Sequence, residues 1–170
     1  MHDVLTTTGD LRAWLAAVQA DVEIPEPGSG DLRRFRALRD ALRRLAALLT
    51  DDTRPAAASA TGDIEQAVAD VNDAAAQAPA WPRLTYRDGE LHQSTACHAT
   101  AAQRMLSAIA HQAIDLFTGE DRIKLRACYA PGCVLYFVKN HPRREWCSTA
   151  CGNRARAARH YQRHRKSPRK

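Results

Sequence analysis

The chain has 170 residues, 45% of them hydrophobic and 6% aromatic, and a formal net charge of +6. This length accommodates one domain of ordinary size and a small appended module. Few aromatic residues and abundant alanine favour packed helices over a large β-sandwich. No uncharged stretch approaches the roughly 20 apolar residues of a membrane span, and residues 1–10 lack a signal-peptide pattern. We therefore expect a soluble, cytoplasmic protein without a membrane partner.

The charge is divided unevenly along the chain. Residues 1–120 contain 11 Lys/Arg and 17 Asp/Glu, a balance of −6, whereas residues 121–170 contain 14 and 2, a balance of +12. This asymmetry indicates a polyanion partner at the basic end. The alternative is a basic tail that only aids solubility.

Two helices are predicted in the first 50 residues. The first covers Leu11–Ala20 with Asp10 as its cap, and the second follows Asp31, which is expected to cap it. Apolar residues recur in the second helix at spacings of three and four: Leu32, Phe35, Leu38, Leu42, Leu45 and Leu49. This period predicts one buried face. Residues 51–62 are polar and rich in alanine, and we interpret them as a connector.

Two more helices and a hairpin are predicted before residue 120. The helices cover Asp63–Gln77 and Ala99–Thr118. The inward positions of the first of these are Ile64, Val68 and Val71. Between the helices, Leu84–Leu91 alternates apolar and polar residues around an Asp-Gly turn, a pattern typical of a β-hairpin.

The pattern changes from residue 121 onward. Arg122–Ala127 alternates in polarity and is predicted to be a strand, and Val134–Val138 is a second β-prone run. Ser148 is expected to cap a final helix that ends near Arg165.

The predicted fold class is mainly α with a small β-hairpin. A helical body, residues 1–120, precedes a small carboxy-terminal module, residues 121–166, and residues 167–170 are expected to be disordered.

Four cysteines follow the spacing Cys128-x4-Cys133-x13-Cys147-x3-Cys151. Two close pairs separated by a hairpin-length insert are typical of sites that bind one tetrahedral zinc ion. Pro131-Gly132 permits a tight turn in the first pair, and the second pair lies at a helix start, where free N–H groups stabilise thiolates. Four thiolates close the coordination sphere, so the zinc is expected to be structural. With the predicted strands and final helix around these cysteines, residues 121–166 are expected to form a treble-clef-like zinc module.

Three other uses of these cysteines fit the sequence less well. Two disulfides are disfavoured in a cytosolic chain. A two-Cys, two-His finger made of Cys147, Cys151, His160 and His164 has too short a central loop and leaves the first pair without a role. A redox role normally requires C-x-x-C, which the chain lacks.

The final helix sorts its basic residues into two groups. At about 100° per residue, one stripe consists of Arg156, Arg159, Arg163 and Lys166, here called the outer stripe. Arg154, Ala158 and Tyr161 lie on the opposite side, toward the cysteines. We expect the outer stripe to contact DNA phosphates, with Arg143 and Arg144 extending the surface, and Arg154 to brace the metal site.

The segment Trp146–Arg154 resembles the signature of the CGNR zinc fingers, named for its last four residues. The matching positions are Cys128, Cys133, Phe137, Arg143, Arg144, Trp146 and Cys151–Arg154. The resemblance implies that the four cysteines bind zinc, that Trp146, Asn153 and Arg154 support them, and that the module binds DNA. One departure from the family pattern is Val138-Lys139, where a small residue or aspartate is usual.

The body resembles the ABATE-type stress-induced transcription regulator domain. The resemblance is carried by Asp10-Leu11-x-x-Trp14-Leu15, Leu38-Arg39-x-Ala41-Leu42-Arg43 and Val71-Asn72-x-Ala74. Family members usually begin with an apolar strand ending in Asn-Thr. This chain starts near Leu5-Thr6 without one, so a shortened amino end is expected.

These features together predict a DNA-binding transcriptional regulator rather than an enzyme. The body is expected to form a homodimer or to bind a small effector. The alternative is a zinc-dependent module that binds a protein or RNA. A treble-clef nuclease would need an open metal site and a histidine base, and His141 has no suitable companion.

Overall fold

The computed structural model of the protein describes residues 5–18 and 26–165. In these ranges the α-helices are α1 Thr8–Val18, α2 Ser29–Leu49, α3 Ile64–Ala75, α4 Ala101–Thr118 and α5 Thr149–Arg165. The strands are β1 Trp81–Arg87, β2 Glu90–Ala96, β3 Leu125–Ala127 and β4 Tyr136–Val138. Short 3₁₀ turns lie at Pro55–Ala57 and Glu120–Lys124. The predicted fold class, mainly α with a small β-hairpin, is confirmed.

Helices α1 to α4 share one hydrophobic core. Leu11 and Leu15 of α1 and Leu106 of α4 are almost wholly buried, and Phe35 and Leu38 of α2 lie against them. Trp14 meets Phe35 edge to face, with ring centroids 5.9 Å apart. This core holds the body together, and α2 also contacts strand β3 of the carboxy-terminal module.

The caps of α1 and α2 differ from prediction in the same way. Asp10 lies inside α1, and its carboxylate accepts the Thr7 N–H at 2.7 Å. Asp31 likewise lies inside α2 and accepts the Gly28 N–H at 2.9 Å. A carboxylate in the first turn can reach back to the free N–H ahead of the helix, so each aspartate forms the return half of a capping box. Both helices therefore begin earlier than predicted.

Helix α3 begins with Asp63 as its cap, and it buries only part of its predicted inner face. The Asp63 carboxylate accepts the Glu65 N–H at 3.1 Å. Val71 is buried, but Val68 is 44% exposed, and Ala67 and Ala74 occupy the inward positions instead. Close packing of α3 on α2 favours small residues at the contact, which an apolar period alone does not reveal.

The two hairpins are differently placed. The β1–β2 hairpin forms as predicted around Asp88-Gly89, both at positive φ, and both of its faces are largely exposed. Strand β3 is shorter than predicted, because residues 120–124 form a 3₁₀ turn. Leu125 pairs with Val138 in the second hairpin, which leads into the cysteines.

Some predictions concern residues beyond the described ranges: the end of the first helix at Ala20, Lys166 and the tail at 167–170. Within the described ranges, no helix is both long and apolar enough to cross a membrane.

Candidate metal centre and basic surface

The first cysteine pair lies at the tip of the β3–β4 hairpin. Cys128 donates its N–H to the Leu135 carbonyl at 2.9 Å, and Cys133 donates to the Ala130 carbonyl at 2.9 Å. Gly132 has a φ of +70°, a conformation that glycine adopts without a steric penalty. This tight turn brings both buried sulfurs to the same side of the loop.

The second pair lies at the start of α5. The Ser148 hydroxyl accepts the Cys151 N–H at 3.2 Å, as expected of the predicted cap. The next residue, Gly152, lies close to the Trp146 ring: a Cβ atom at this position would be 3.1 Å from the ring. Trp146 packs against the cysteines and fills the space beside the helix start.

The four sulfurs form a compact cluster. The Sγ atoms of Cys128, Cys133, Cys147 and Cys151 all lie within 4.8 Å of one another. The Cys133–Cys147 separation is 3.7 Å and the Cys147–Cys151 separation is 3.4 Å. A tetrahedral zinc ion with Zn–S bonds of about 2.3 Å requires S–S edges of about 3.8 Å. The cluster therefore fits one zinc ion.

The same geometry decides between the alternatives for the cysteines. All four cysteines are free of disulfides, and the two sulfur–sulfur separations given above are much longer than the roughly 2 Å of a disulfide bond. Among the described residues, the group close enough to hold a metal consists of the four cysteines and contains no histidine. Cys97, the fifth cysteine, is half-buried outside this group.

Two of the four thiols, those of Cys133 and Cys147, are poorly placed to ionise without a cation. Burial, with a contribution from the neighbouring thiols, raises the pKa of Cys147 to about 12, and burial also raises the pKa of Cys133. The Ser148 hydroxyl lowers the pKa of Cys151 to about 7. A divalent ion at the centre would stabilise all four thiolates at once. The donor set thus suits a metal better than it suits four free thiols.

Three arginines surround the cluster. Arg154 donates to the Cys151 sulfur at 3.1 Å. Arg144 donates to the Cys147 carbonyl at 3.1 Å and lies over the Phe137 ring. Four thiolates and one Zn²⁺ would carry a net charge of −2, and these guanidinium groups offset it.

The third arginine, Arg54, comes from the body and was not identified from the sequence. It lies in the segment interpreted as a connector, yet it donates to the Cys128 carbonyl at 3.0 Å and to the Cys133 carbonyl at 3.1 Å. Its guanidinium also lies 4.3 Å from the centroid of the Tyr129 ring. The first cysteine pair is thus held by a residue more than 70 positions away in the chain.

Asp52 fixes this arginine in place. The Asp52 side chain is fully buried. Its carboxylate accepts two hydrogen bonds from Arg54, one from Nε and one from Nη2, each 2.7 Å long. The Tyr136 hydroxyl of β4 donates to the same carboxylate at 3.1 Å. The hydrogen bond from Arg54 holds the pKa of Asp52 below its ordinary value. Asp52, Arg54 and Tyr136, here called the bridge, join the body to the zinc module.

The basic side chains predicted to face DNA divide into three groups. Arg143, Arg156, Arg159 and Arg163 are exposed, Arg144 is engaged at the cysteines, and Lys166 lies outside the described residues. The Asn153 side-chain oxygen accepts a hydrogen bond from Arg156.

Tyr161, placed on the inner side of α5 by helical geometry, is exposed. The buried residues of helix α5 lie in its first two turns and are Cys151, Gly152 and Ala155. The described side chains of the later turns are mostly exposed. The polypeptide around the cysteines is too short to cover the whole helix.

Comparison with protein families agrees with these observations. The model of the ABATE family, described as "Putative stress-induced transcription regulator", matches residues 1–120, and that of the CGNR zinc finger matches residues 124–164. Neither is a family of enzymes. No curated protein matches the chain. Because the first match covers more than half of the chain and the second covers the cysteine cluster, the protein belongs to the ABATE family and carries a CGNR zinc finger.

Proposed function

We propose that this protein is a cytoplasmic transcriptional regulator that binds DNA through its zinc module, and that it has no catalytic activity. In this proposal Cys128, Cys133, Cys147 and Cys151 hold one structural zinc ion, which orients α5 toward the duplex. The single observation that carries the proposal is the exposed guanidinium surface that begins beside the metal centre and continues along α5.

The length and sidedness of α5 suit a polyanion. Its 17 residues extend over about 25 Å at 1.5 Å per residue. Arg156, Arg159 and Arg163 lie within a sector of about 60°, as 100° per residue requires, and all three are exposed. Each phosphate that such a cation neutralises releases counterions and favours binding.

A polar cleft at the start of α5 supplies a second element of the surface. It has a volume of about 500 Å³ and is lined by Arg143, Arg156, Ser148 and Gly152, among others. The backbone N–H groups of a helix start and its positive dipole end favour phosphate oxygens. The cleft and the outer stripe share Arg156, so one duplex backbone can follow both.

The division of charge supports the same orientation. The acidic body repels nucleic acid, whereas the module at the other end of the chain attracts it. Only one end of the molecule should then approach DNA, which leaves the body available for regulation.

The proposal is tested by fluorescence anisotropy with random-sequence duplex DNA, using the zinc-loaded full chain. Replacing Arg156, Arg159 and Arg163 together with glutamine should weaken binding and reduce the slope of log K against log salt by roughly 2 to 3. The matched control replaces Arg33, Arg83 and Arg87, three exposed arginines of the body, with glutamine. Equal losses in both triple variants would contradict the proposal. Tighter binding to single-stranded RNA than to duplex DNA would favour an RNA-binding module instead.

A further inference from the structure

A cavity lies at the junction of the body and the zinc module. Its volume is about 540 Å³, which falls within the range of small-molecule sites. Leu38 and Leu42 of α2 and Ala113 and Leu116 of α4 form one side, and the β3–β4 hairpin closes the other. We call this cavity the junction pocket.

The lining of the junction pocket is almost entirely apolar, and two charged residues interrupt it. Arg39 and Arg43 contribute to the wall, and none of the described lining residues is acidic. Arg39 is paired with Asp40 at 2.9 Å. Arg43 has no carboxylate within ion-pair distance among the described residues. The pocket therefore combines an apolar volume with one guanidinium whose charge is not neutralised.

The hydrogen bonding of Arg43 is also incomplete. Among residues 5–18 and 26–165, its buried Nε–H has no acceptor, and the guanidinium forms one long hydrogen bond, 3.4 Å from Nη2 to the Ala58 carbonyl. A buried donor without a partner is costly, and the cost is larger for a charged group. A ligand carboxylate could accept from this guanidinium after a side-chain rotation of the kind that commonly accompanies binding.

We propose that the junction pocket binds an apolar monocarboxylate, with its hydrocarbon portion between α2 and α4 and its carboxylate paired with Arg43. The inference goes beyond DNA binding and does not rest on it. Charge complementarity selects the anion, and the apolar walls select a hydrocarbon chain or ring over a polar metabolite.

The position of the pocket makes this ligand a regulator of the module. Phe137 of β4 lines the pocket and also packs against the cysteine cluster. Tyr136 beside it lines the pocket and belongs to the bridge. A molecule in the pocket thus contacts the body and the hairpin that carries the first cysteine pair.

The test uses isothermal titration calorimetry of the zinc-loaded full chain with decanoate and with decanol as its uncharged match. We expect decanoate to bind at least tenfold more tightly than decanol, because a charge-assisted hydrogen bond contributes that much or more. Arg43→Gln should remove this preference. Ala113→Phe, which fills the pocket, should abolish binding of both compounds at unchanged zinc content.

The comparison of the two compounds on the wild-type chain stands even if a variant fails to fold. Equal affinities for decanoate and decanol would overturn the assignment of a carboxylate. Binding of neither compound would overturn the site itself, and undiminished binding by a folded Ala113→Phe variant would place the ligand elsewhere and equally overturn it.

Discussion

Replacing Arg54 with methionine should destabilise the protein and loosen the metal centre at the same time. The change keeps the aliphatic part of the side chain but removes both side-chain hydrogen bonds to Asp52 and the hydrogen bonds to the Cys128 and Cys133 carbonyls. Asp52, fully buried, would be left as a charge whose main partner is gone. Breaking a buried pair from one side costs about 3 to 5 kcal/mol.

The lower end of that range applies here. The Arg54 side chain is 26% exposed, so water can reach the vacated position, and we expect a loss of about 3 kcal/mol in the free energy of unfolding. With an m-value of about 2 kcal/mol/M, the urea midpoint should fall by roughly 1.5 M. Zinc transfer to a chromogenic chelator should also become faster, because the carbonyls of Cys128 and Cys133 lose the hydrogen bonds that hold the first cysteine pair in place.

The control is Arg12→Met, which breaks the Arg12–Glu26 pair. Both of those side chains are 60% exposed, and an exposed pair contributes about 0 to 1 kcal/mol. The double variant Asp52→Asn/Arg54→Met should be more stable than Arg54→Met alone, because it no longer buries an unpaired charge. Urea unfolding of Arg54→Met within about 0.5 kcal/mol of wild type, together with an unchanged rate of zinc transfer, would refute the bridge.

Other predictions concern the rest of the molecule. Burial, and then the charge of Asp52, raise the pKa of Tyr136 to about 12, so one tyrosine should ionise late in an absorbance titration, and Tyr136→Phe should lack that step. Because this pKa exceeds its usual value of about 10, the stabilisation by Tyr136 should be complete below pH 10 and lost as the pH rises toward 12; a single common transition for all tyrosines would contradict this. Removing zinc with a chelator should unfold the module while circular dichroism retains most of the helical signal of the body, since metal binding and folding are coupled only in the module; complete loss of helix would be the contrary result. Leu106→Ala should cost about 2 to 5 kcal/mol in urea unfolding and Leu84→Ala less than about 0.5, because Leu106 is buried and Leu84 is 69% exposed.

The zinc module was the most predictable part of the chain. The spacing of the four cysteines has few structural solutions, so it predicted a cluster that the structure contains. The turn at Gly132 and the cap at Ser148 follow from local chemistry and were also foreseen. Short-range requirements of this kind are visible in a single sequence.

The bridge could not be predicted, because it depends on contacts between distant residues. Asp52 and Arg54 lie in a polar stretch whose composition is that of an ordinary connector. Only the fold shows that they lie under the first cysteine pair. An aspartate followed two residues later by an arginine is too common a pattern to indicate that Asp52 is buried.

The helix starts show a second limit. Asp10 and Asp31 were each assigned as caps, since aspartate is favoured there. Aspartate is also stabilising in the first turn, and the residues that precede the helices, Thr7 and Gly28, are acceptable as caps too. The local preferences are close in energy, and the surrounding packing decides between them.

The measurement that tests the central claim most directly is the salt dependence of duplex DNA binding by the zinc-loaded full chain. The four exposed arginines of the proposed surface are Arg143, Arg156, Arg159 and Arg163. If each neutralises one phosphate, the slope of log K against log salt should be roughly −3 to −4. Absence of binding at low salt, or an affinity that does not change with salt, would contradict a module that docks on DNA through these residues.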